Sequence, residues 1–479
     1  MTRYLFFLMA FAAQGFEGYS QDANYWSSAY GNGSFFMPGA VVSYNGDSGV
    51  LFRNPALQGY NRHASASITG TVYQFQSFAV KNGVGDGLDL VSNRTNIVPL
   101  VVSNSLPLKT KKPVSIVYAI LSQPTINFLA NQRKEAAMEV LDDGYSPGAE
   151  VFIGQYSLSK NMFETSALLS AGMVLDKKWA IGATVEAVNT FIHYLADVKA
   201  RALQNTHDPA ELFPPVVSAE EFYEVTARHS GVRLKGGISF LPSSRHSLGL
   251  LISSPLWRVA GTARLLSDVE INDVRIAGLY PLSLLASTYQ SGLKTQWKMP
   301  VSIAGGYTYR HGKGQLYIAA EYFGRVKAYD MVAPRNEAFL RPDTSNRITY
   351  SSLRLKDGRQ SLVNIAAGAS YDIGERSAVY LSARSDFSYS SATAFNNDEG
   401  YVFPVTHTNI YHAQIGANVK RTRFNLRTGL LLSYGKTNHY RQKADFDHPS
   451  EDNLLMGDPS ATSARLLSVG MVFSYIHNF

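Results

Sequence analysis

The chain ends in an alternating run. From Met471 to Phe479, the positions Met471, Phe473, Tyr475 and Phe479 share one face, while Gly470, Ser474 and Asn478 share the other. A period of two is a β-strand, and a last strand that finishes on an aromatic residue is how outer-membrane barrels end. The same pattern recurs upstream. Over 424–434, Phe424, Leu426, Leu430, Leu432 and Tyr434 oppose Asn425, Arg427, Gly429 and Ser433. Over 315–326, Leu316, Ile318, Ala320, Tyr322 and Val326 oppose Gln315, Glu321 and Arg325; over 363–371, Val363, Ile365 and Ala367 oppose Asn364, Gly368 and Ser370. A membrane barrel turns the apolar set outward and a β-sandwich turns it inward, and alternation alone does not separate the two.

Turn spacing favours the barrel. Tight, charged turns fall at Lys109–Lys112, Asp176–Lys178, Pro242–His246, His311–Gly314, Asp372–Arg376 and Lys420–Arg423. Longer polar stretches separate them, at roughly 82–96, 129–148, 201–224, 263–290, 331–358, 390–407 and 438–460. Alternating short turns and long loops predict about 14 antiparallel strands, with both chain ends on the short-turn, periplasmic side. Residues 150–174 read either as one long strand or as a hairpin broken at Lys160-Asn161, and the second reading changes the count. A sandwich would need turn signals every eight to twelve residues, which are absent.

Composition agrees with an all-β membrane protein. Aromatics make up 12% of the chain, with 28 Tyr and 25 Phe, which suits strands and interfacial girdles. There is no cysteine, so no disulfide, thiolate metal site or lipid-modified N-terminal Cys can form. No other stretch reaches about 18 consecutive apolar residues, so helical spans are not expected. The formal charge of +7 would fit nucleic acid, but many Lys and Arg sit in the short turns, and a topological explanation is preferred. Residues 1–20 read as a secretory signal: Arg3, the apolar core Tyr4–Ala13, then Gly18-Tyr19-Ser20 before a cut near Gln21.

Residues 21–62 do not alternate, are rich in Gly, Ser, Asn and Tyr, and carry Trp26, Phe35, Phe36, Leu51 and Phe52, which require burial. A 14-stranded barrel encloses more space than its inward side chains fill, so this segment is read as a plug and 63–479 as the barrel. The run Gly39-Ala40, then Asp47-Ser48-Gly49-Val50-Leu51-Phe52-Arg53-Asn54-Pro55-Ala56-Leu57, resembles the N-terminal hatch of the FadL and toluene-channel family. Asp47, Asn54, Pro55 and Ala56 match that pattern, and Ser48 departs from its usual Ala. The resemblance implies a monomeric barrel in the Gram-negative outer membrane with a hatch in its lumen. It also implies passive diffusion of hydrophobic molecules, with long-chain fatty acids the expected substrates.

Alternation places Glu186, Arg233, Lys235, Glu321, Arg325, Arg384, Asp386, Asn418 and Arg427 inside. Most such charges pair to brace the wall; Arg325, Arg384 and Arg427 are the candidates for a ligand carboxylate. Pro124 interrupts the third strand and marks a bulge or edge. In the resembled family a kink in that strand opens a lateral route, and Pro124 is the candidate for it here. No catalytic spacing is present: there is neither His-Glu-x-x-His nor Gly-x-Ser-x-Gly, so no enzyme, cofactor or structural metal is expected. The pairs Asp142-Asp143 and Glu451-Asp452 read as solvated loop charge rather than Ca²⁺ ligands. The rival reading is a structural or accessory barrel subunit of a secretion or assembly machine, with its long loops binding partners.

Overall fold

The computed structural model describes residues 24–26, 42–43, 53–61, 63–108, 110–206, 213–276, 280–341, 349–390, 400–402 and 407–479. Fourteen antiparallel strands close into one barrel. They are β1 (Ser65–Val80), β2 (Leu90–Leu108), β3 (Val114–Met138), β4 (Glu150–Val174), β5 (Trp179–Leu203) and β6 (Val216–Phe240). Two interrupted strands follow, β7 (His246–Ser253 and Trp257–Val274) and β8 (Leu282–Lys294 and Ser302–His311). The circuit continues with β9 (Gly314–Phe323), β10 (Leu362–Gly374), β11 (Ser377–Asp386), β12 (Asn409–Lys420), β13 (Phe424–Arg441) and β14 (Ala461–Asn478). Closure runs from Ser65↔Asn478 to Val80↔Ala464, and the Phe479 amide donates to the Ala64 carbonyl at 2.9 Å.

The six tight turns fall between strands where the charge pattern places them, with Lys109 of the first outside the described residues. Residues 150–174 form one unbroken strand rather than a hairpin, which keeps the count at fourteen.

The side-chain pattern decides against the sandwich. Leu316, Ile318, Ile365, Leu430 and Leu432 are exposed, while Glu321, Asn364 and Arg427 on the opposite faces are buried. Apolar out and polar in is stable only where the outside solvent is lipid. Aromatic residues edge this band: Trp179 stacks on Phe240 at 4.3 Å and Phe424 on Tyr475 at 6.1 Å near the short turns. Tyr322, Tyr411 and Tyr434 stand exposed at the other margin.

The wall is tall on one side. Each of β3, β4, β5 and β6 has 25 residues, whereas β9 and β11 have 10. Ten tilted residues just cross the hydrocarbon layer, whereas 25 rise roughly 60 Å. Above the bilayer the polarity inverts. Along β4, Ala167, Leu169 and Ala171 point out below Phe163; above it, Gln155, Ser157 and Ser159 point out while Phe152, Tyr156 and Leu158 point in. This inversion corrects the sequence reading of 129–148, 201–224 and 263–290 as loops. Most of those residues are strand, and the loops shrink to 139–149, 204–215 and 275–281. The lipid-facing pattern stops at the membrane surface while the ladder continues.

Arg325 is a further correction. The strand expected to run to 326 ends at Phe323, and Arg325 is exposed beyond it rather than turned into the lumen.

Candidate functional site: the barrel lumen

The inner wall carries a seat for the N-terminal segment. Pro55–Tyr60 forms a short 3₁₀ turn capped by Asn54, whose side-chain oxygen accepts from the Ala56 amide at 3.0 Å. Pro55 at the start suits the turn, because its fixed φ is helical and its missing N–H has no role there. The Asn54 amide nitrogen donates to the carbonyls of Val42 at 2.8 Å, Ile238 at 3.1 Å and Leu250 at 3.3 Å. Asn54 and Ala56 are fully buried.

The wall accepts this backbone because glycines line it. A Cβ on Gly172 or Gly182 would collide with the backbone of Pro55, one on Gly237 with the Asn54 side chain, and one on Gly249 with the Val42 carbonyl. The four glycines lie on β4, β5, β6 and β7, side by side around the barrel. Sequence reasoning missed this track; its only signal was glycine on the inward phase of consecutive strands. Of the predicted hatch motif, Asn54, Pro55 and Ala56 meet at this seat, and Asp47 lies outside the described residues.

A polar network ties the segment to the far wall at bilayer level. Arg53 forms an ion pair with Glu321 of β9, and the Trp26 indole donates to the same carboxylate at 2.7 Å. The Trp26 amide donates to Asp386 of β11 at 2.8 Å, as does Asn364 at 3.2 Å. Glu186 receives Arg233 at 2.5 Å and Lys235 at 2.8 Å. Most of the inward charges therefore brace the wall, as expected. Arg384 differs: it is buried, and two of its nitrogens, Nε and Nη2, have no hydrogen-bond partner. Arg427 is buried on the inner face of β13. Trp26 is buried as the sequence reading requires, but its ties to Glu321 and Asp386, and that of Arg53 to Glu321, were not foreseen.

Above the network the lumen turns apolar. Phe128, Phe152, Tyr156, Tyr194, Tyr223 and Leu265 belong to one buried cluster on the inner face of the tall wall. A small sheet from the opposite side closes over it. Val326–Val332 pairs antiparallel with Leu355–Arg359, which pairs parallel with Tyr401–Val402. This sheet reaches β6: Tyr401 stacks on Tyr223 at 3.7 Å and donates to Glu221 at 2.6 Å, and Tyr223 donates to the Leu353 carbonyl at 3.0 Å. Within it, the Arg359 guanidinium lies over Trp297 at 4.4 Å and Tyr389 at 4.5 Å, with Asp357 at 3.3 Å. Burial alone would lower the pKa of that guanidinium, but Tyr389, Asp357 and Tyr25 hold it above its ordinary value. Burial pushes the Tyr25 phenol up to about 12, partly opposed by Arg359. Both groups therefore keep their charge states throughout the physiological range.

The wall has a break between β2 and β3. Their ladder runs from Leu108↔Val114 to Val101↔Leu121 and stops. Higher up, β3 pairs with β4 and β2 with β1, and among the described residues a hydrogen bond spans the break from the Leu129 amide to Ser92 Oγ at 3.2 Å. Prolines mark both sides: the β3–β4 register shifts between Pro124 and Ile126, and the β1–β2 register between Thr69 and Thr71, opposite Val98–Val101, where Pro99 lies. Pro124 thus sits at the bulge its residue type predicts. Pro99 was missed.

The loop acids cap turns. Asp142 accepts from Gly144, Asp143 from Gly148, and Glu451 from the amides of Asp142 and Arg275 and the Tyr145 hydroxyl. Among the described residues no group of three or more His, Cys, Asp and Glu is placed to hold a metal ion.

No family model matches the chain, and no curated protein matches it by sequence. Solved structures do. The Pseudomonas putida toluene transporter TodX aligns over 96% of this chain and 100% of its own, with a TM-score of 0.55 at 12% identity. The fold is that of the FadL and toluene-channel barrels. A Pseudomonas aeruginosa FadL homologue aligns over 97% of this chain and 100% of its own, with a TM-score of 0.53 at 11% identity. The monoaromatic hydrocarbon channel CymD aligns over 98% and 97%, with a TM-score of 0.50 at 11% identity. At such identities the likeness is one of architecture, and the FadL-type barrel described here carries its own lumen residues.

Proposed function

We propose that this chain is a monomeric, passive outer-membrane channel for hydrophobic or amphiphilic small molecules, long-chain fatty acids among them. The observation that carries the reading is the interrupted β2–β3 ladder beside an apolar upper lumen. Cargo gathers against the aromatic inner face of the tall wall, descends toward the seat at Asn54-Pro55-Ala56, and leaves sideways past Pro124 into lipid. Lateral exit suits an apolar cargo, because release into the aqueous periplasm would expose its surface at about 25 cal/mol per Å². Residues 21–62 act as the hatch, with Asp47 part of its motif. Arg384, with Arg427 on the same polar side, is the group proposed to meet a carboxylate head; exposed Arg325 is not carried forward.

The test is uptake of labelled oleate by cells that carry this channel alone. Pro124→Val restores a backbone donor at the bulge, and Ala119→Trp adds bulk on the buried inner face of β3. Both variants should slow uptake at equal surface expression. Normal uptake by both would remove the lateral route and leave passage through the lumen.

A further inference from the structure

At the short-turn end of the lipid-facing band, the outer wall is hollowed between β7, β8 and β9. The hollow holds about 430 Å³ and is lined by His246, Tyr307, Tyr309, Leu316 and Ile318. Register explains it. Tyr309 pairs with His246 on one side and Leu316 on the other; Tyr307 pairs with Leu248 and Ile318. The next outward position on β8 is Gly305, and nothing lies within 4 Å of the point its Cβ would occupy. The wall beyond is low as well, since Leu316 and Ile318 pair with Ala369 and Ala367 of β10. At the short-turn rim elsewhere, Trp179 and Phe240 stack directly on each other.

The polarity of the hollow is graded. Its floor is the aliphatic pair Leu316 and Ile318, which faces hydrocarbon. Its rim-side wall holds a hydrogen-bonded pair, His246 Nδ1 and the Tyr307 hydroxyl at 2.7 Å, with the His246 ring 5.1 Å from that of Tyr309. Two cations stand exposed at its mouth: Arg245, the last residue before β7, and Lys313, in the turn between β8 and β9. The Arg310 amide donates to the Arg245 carbonyl at 2.8 Å and ties that turn to the end of β8. Apolar floor, amphipathic aromatic wall and cationic mouth follow one another as the acyl chain, ester region and phosphate of a membrane lipid do.

We propose that this groove binds one glycerophospholipid of the periplasmic leaflet, with an acyl segment along Leu316 and Ile318 and the phosphate between Arg245 and Lys313. The site lies outside the barrel and does not depend on what the lumen carries.

The experiment is native mass spectrometry of the purified full chain in detergent, titrated with phosphatidylglycerol or with diacylglycerol of the same acyl chains. The expected result is one phosphatidylglycerol retained in preference to diacylglycerol. Joint substitution Arg245→Gln and Lys313→Gln should cut that retention about thirty-fold, since each surface cation is worth about 1 kcal/mol toward an anionic lipid. Tyr309→Ala should reduce retention of both lipids. If it fails to give the heat-modifiable folded band, the two turn substitutions decide alone, because both side chains are exposed. Equal retention of the two lipids, or unchanged retention in the double variant, overturns the site. So does a dimer through this face that phosphatidylglycerol fails to dissociate, because it would give the groove to a second copy.

Discussion

Asn54 shows how one side chain joins the N-terminal segment to the wall. Its amide reaches three carbonyls, one in the segment and two in the wall, and its oxygen caps the turn that follows. Asn54→Ala strips these buried groups of partners, at about 1–3 kcal/mol for each group left unsatisfied. The barrel ladder is untouched, so the expected result is a normal heat-modifiable band with faster protease cleavage near residue 54. Gly237→Leu should act the same way by filling the space Asn54 occupies. A second residue-scale effect is electrostatic. Burial acts to raise the pKa of Asp447, but Lys134 at 2.6 Å and the Asp86 amide outweigh it, and the pKa is lowered. A lowered acid contributes stability above its unfolded value, about 3.9, and loses it as pH falls through the folded value. Proteolysis of the 442–460 loop should therefore be flat from pH 8 to about 5 and rise only below about pH 4. A rise already at pH 6 would assign the effect to a group other than Asp447.

At the scale of elements, the short strands and turns were legible because lipid on one side forces a strict period of two. The six turns carry their own charge signal, and Pro124 announces its bulge by lacking a donor. Three features were not legible, for separate reasons. The upper ends of β3, β5, β6, β7 and β8 keep the ladder where the lipid-facing pattern has stopped, so they read as loop. The Gly172, Gly182, Gly237 and Gly249 track is distributed over four strands, and only the register brings it together. Arg53 and Trp26 gain their meaning from Glu321 and Asp386, between 268 and 360 residues away in sequence. The final strand supplies the prediction at this scale. The Phe479 amide extends the closing ladder to Ala64, and its ring meets His477 edge-on at 5.0 Å in the rim girdle. Deleting Phe479, or replacing it with Asp, should lower the folded fraction on unboiled gels. An unchanged fraction would mean that closure is complete by Asn478.

For the whole molecule, the wall and its contents are separable in principle, because the ladder from Ser65 to Asn478 closes on itself without the segment before it. What the segment adds is contact with both sides of the lumen. Asn54 to Gly59 rests on the glycine track of β4 to β6, while Trp26 and Arg53 reach Glu321 and Asp386 on β9 and β11. If residues 21–62 are the hatch, a chain anchored at opposite walls at bilayer level would obstruct the bore, whereas the small sheet at Leu355–Arg359 would cover it only from above. The two obstructions predict different behaviour. Deleting 24–61 should leave a folded barrel whose ion conductance in planar bilayers exceeds the parent's, with Gly237→Leu intermediate. If the hatch alone held the bore shut, excising 349–359 from the full chain should raise conductance little. If instead the deletion of 24–61 conducts no better than the parent, the small sheet is the seal. The polar network around Glu321 would then serve to brace the wall rather than to block it.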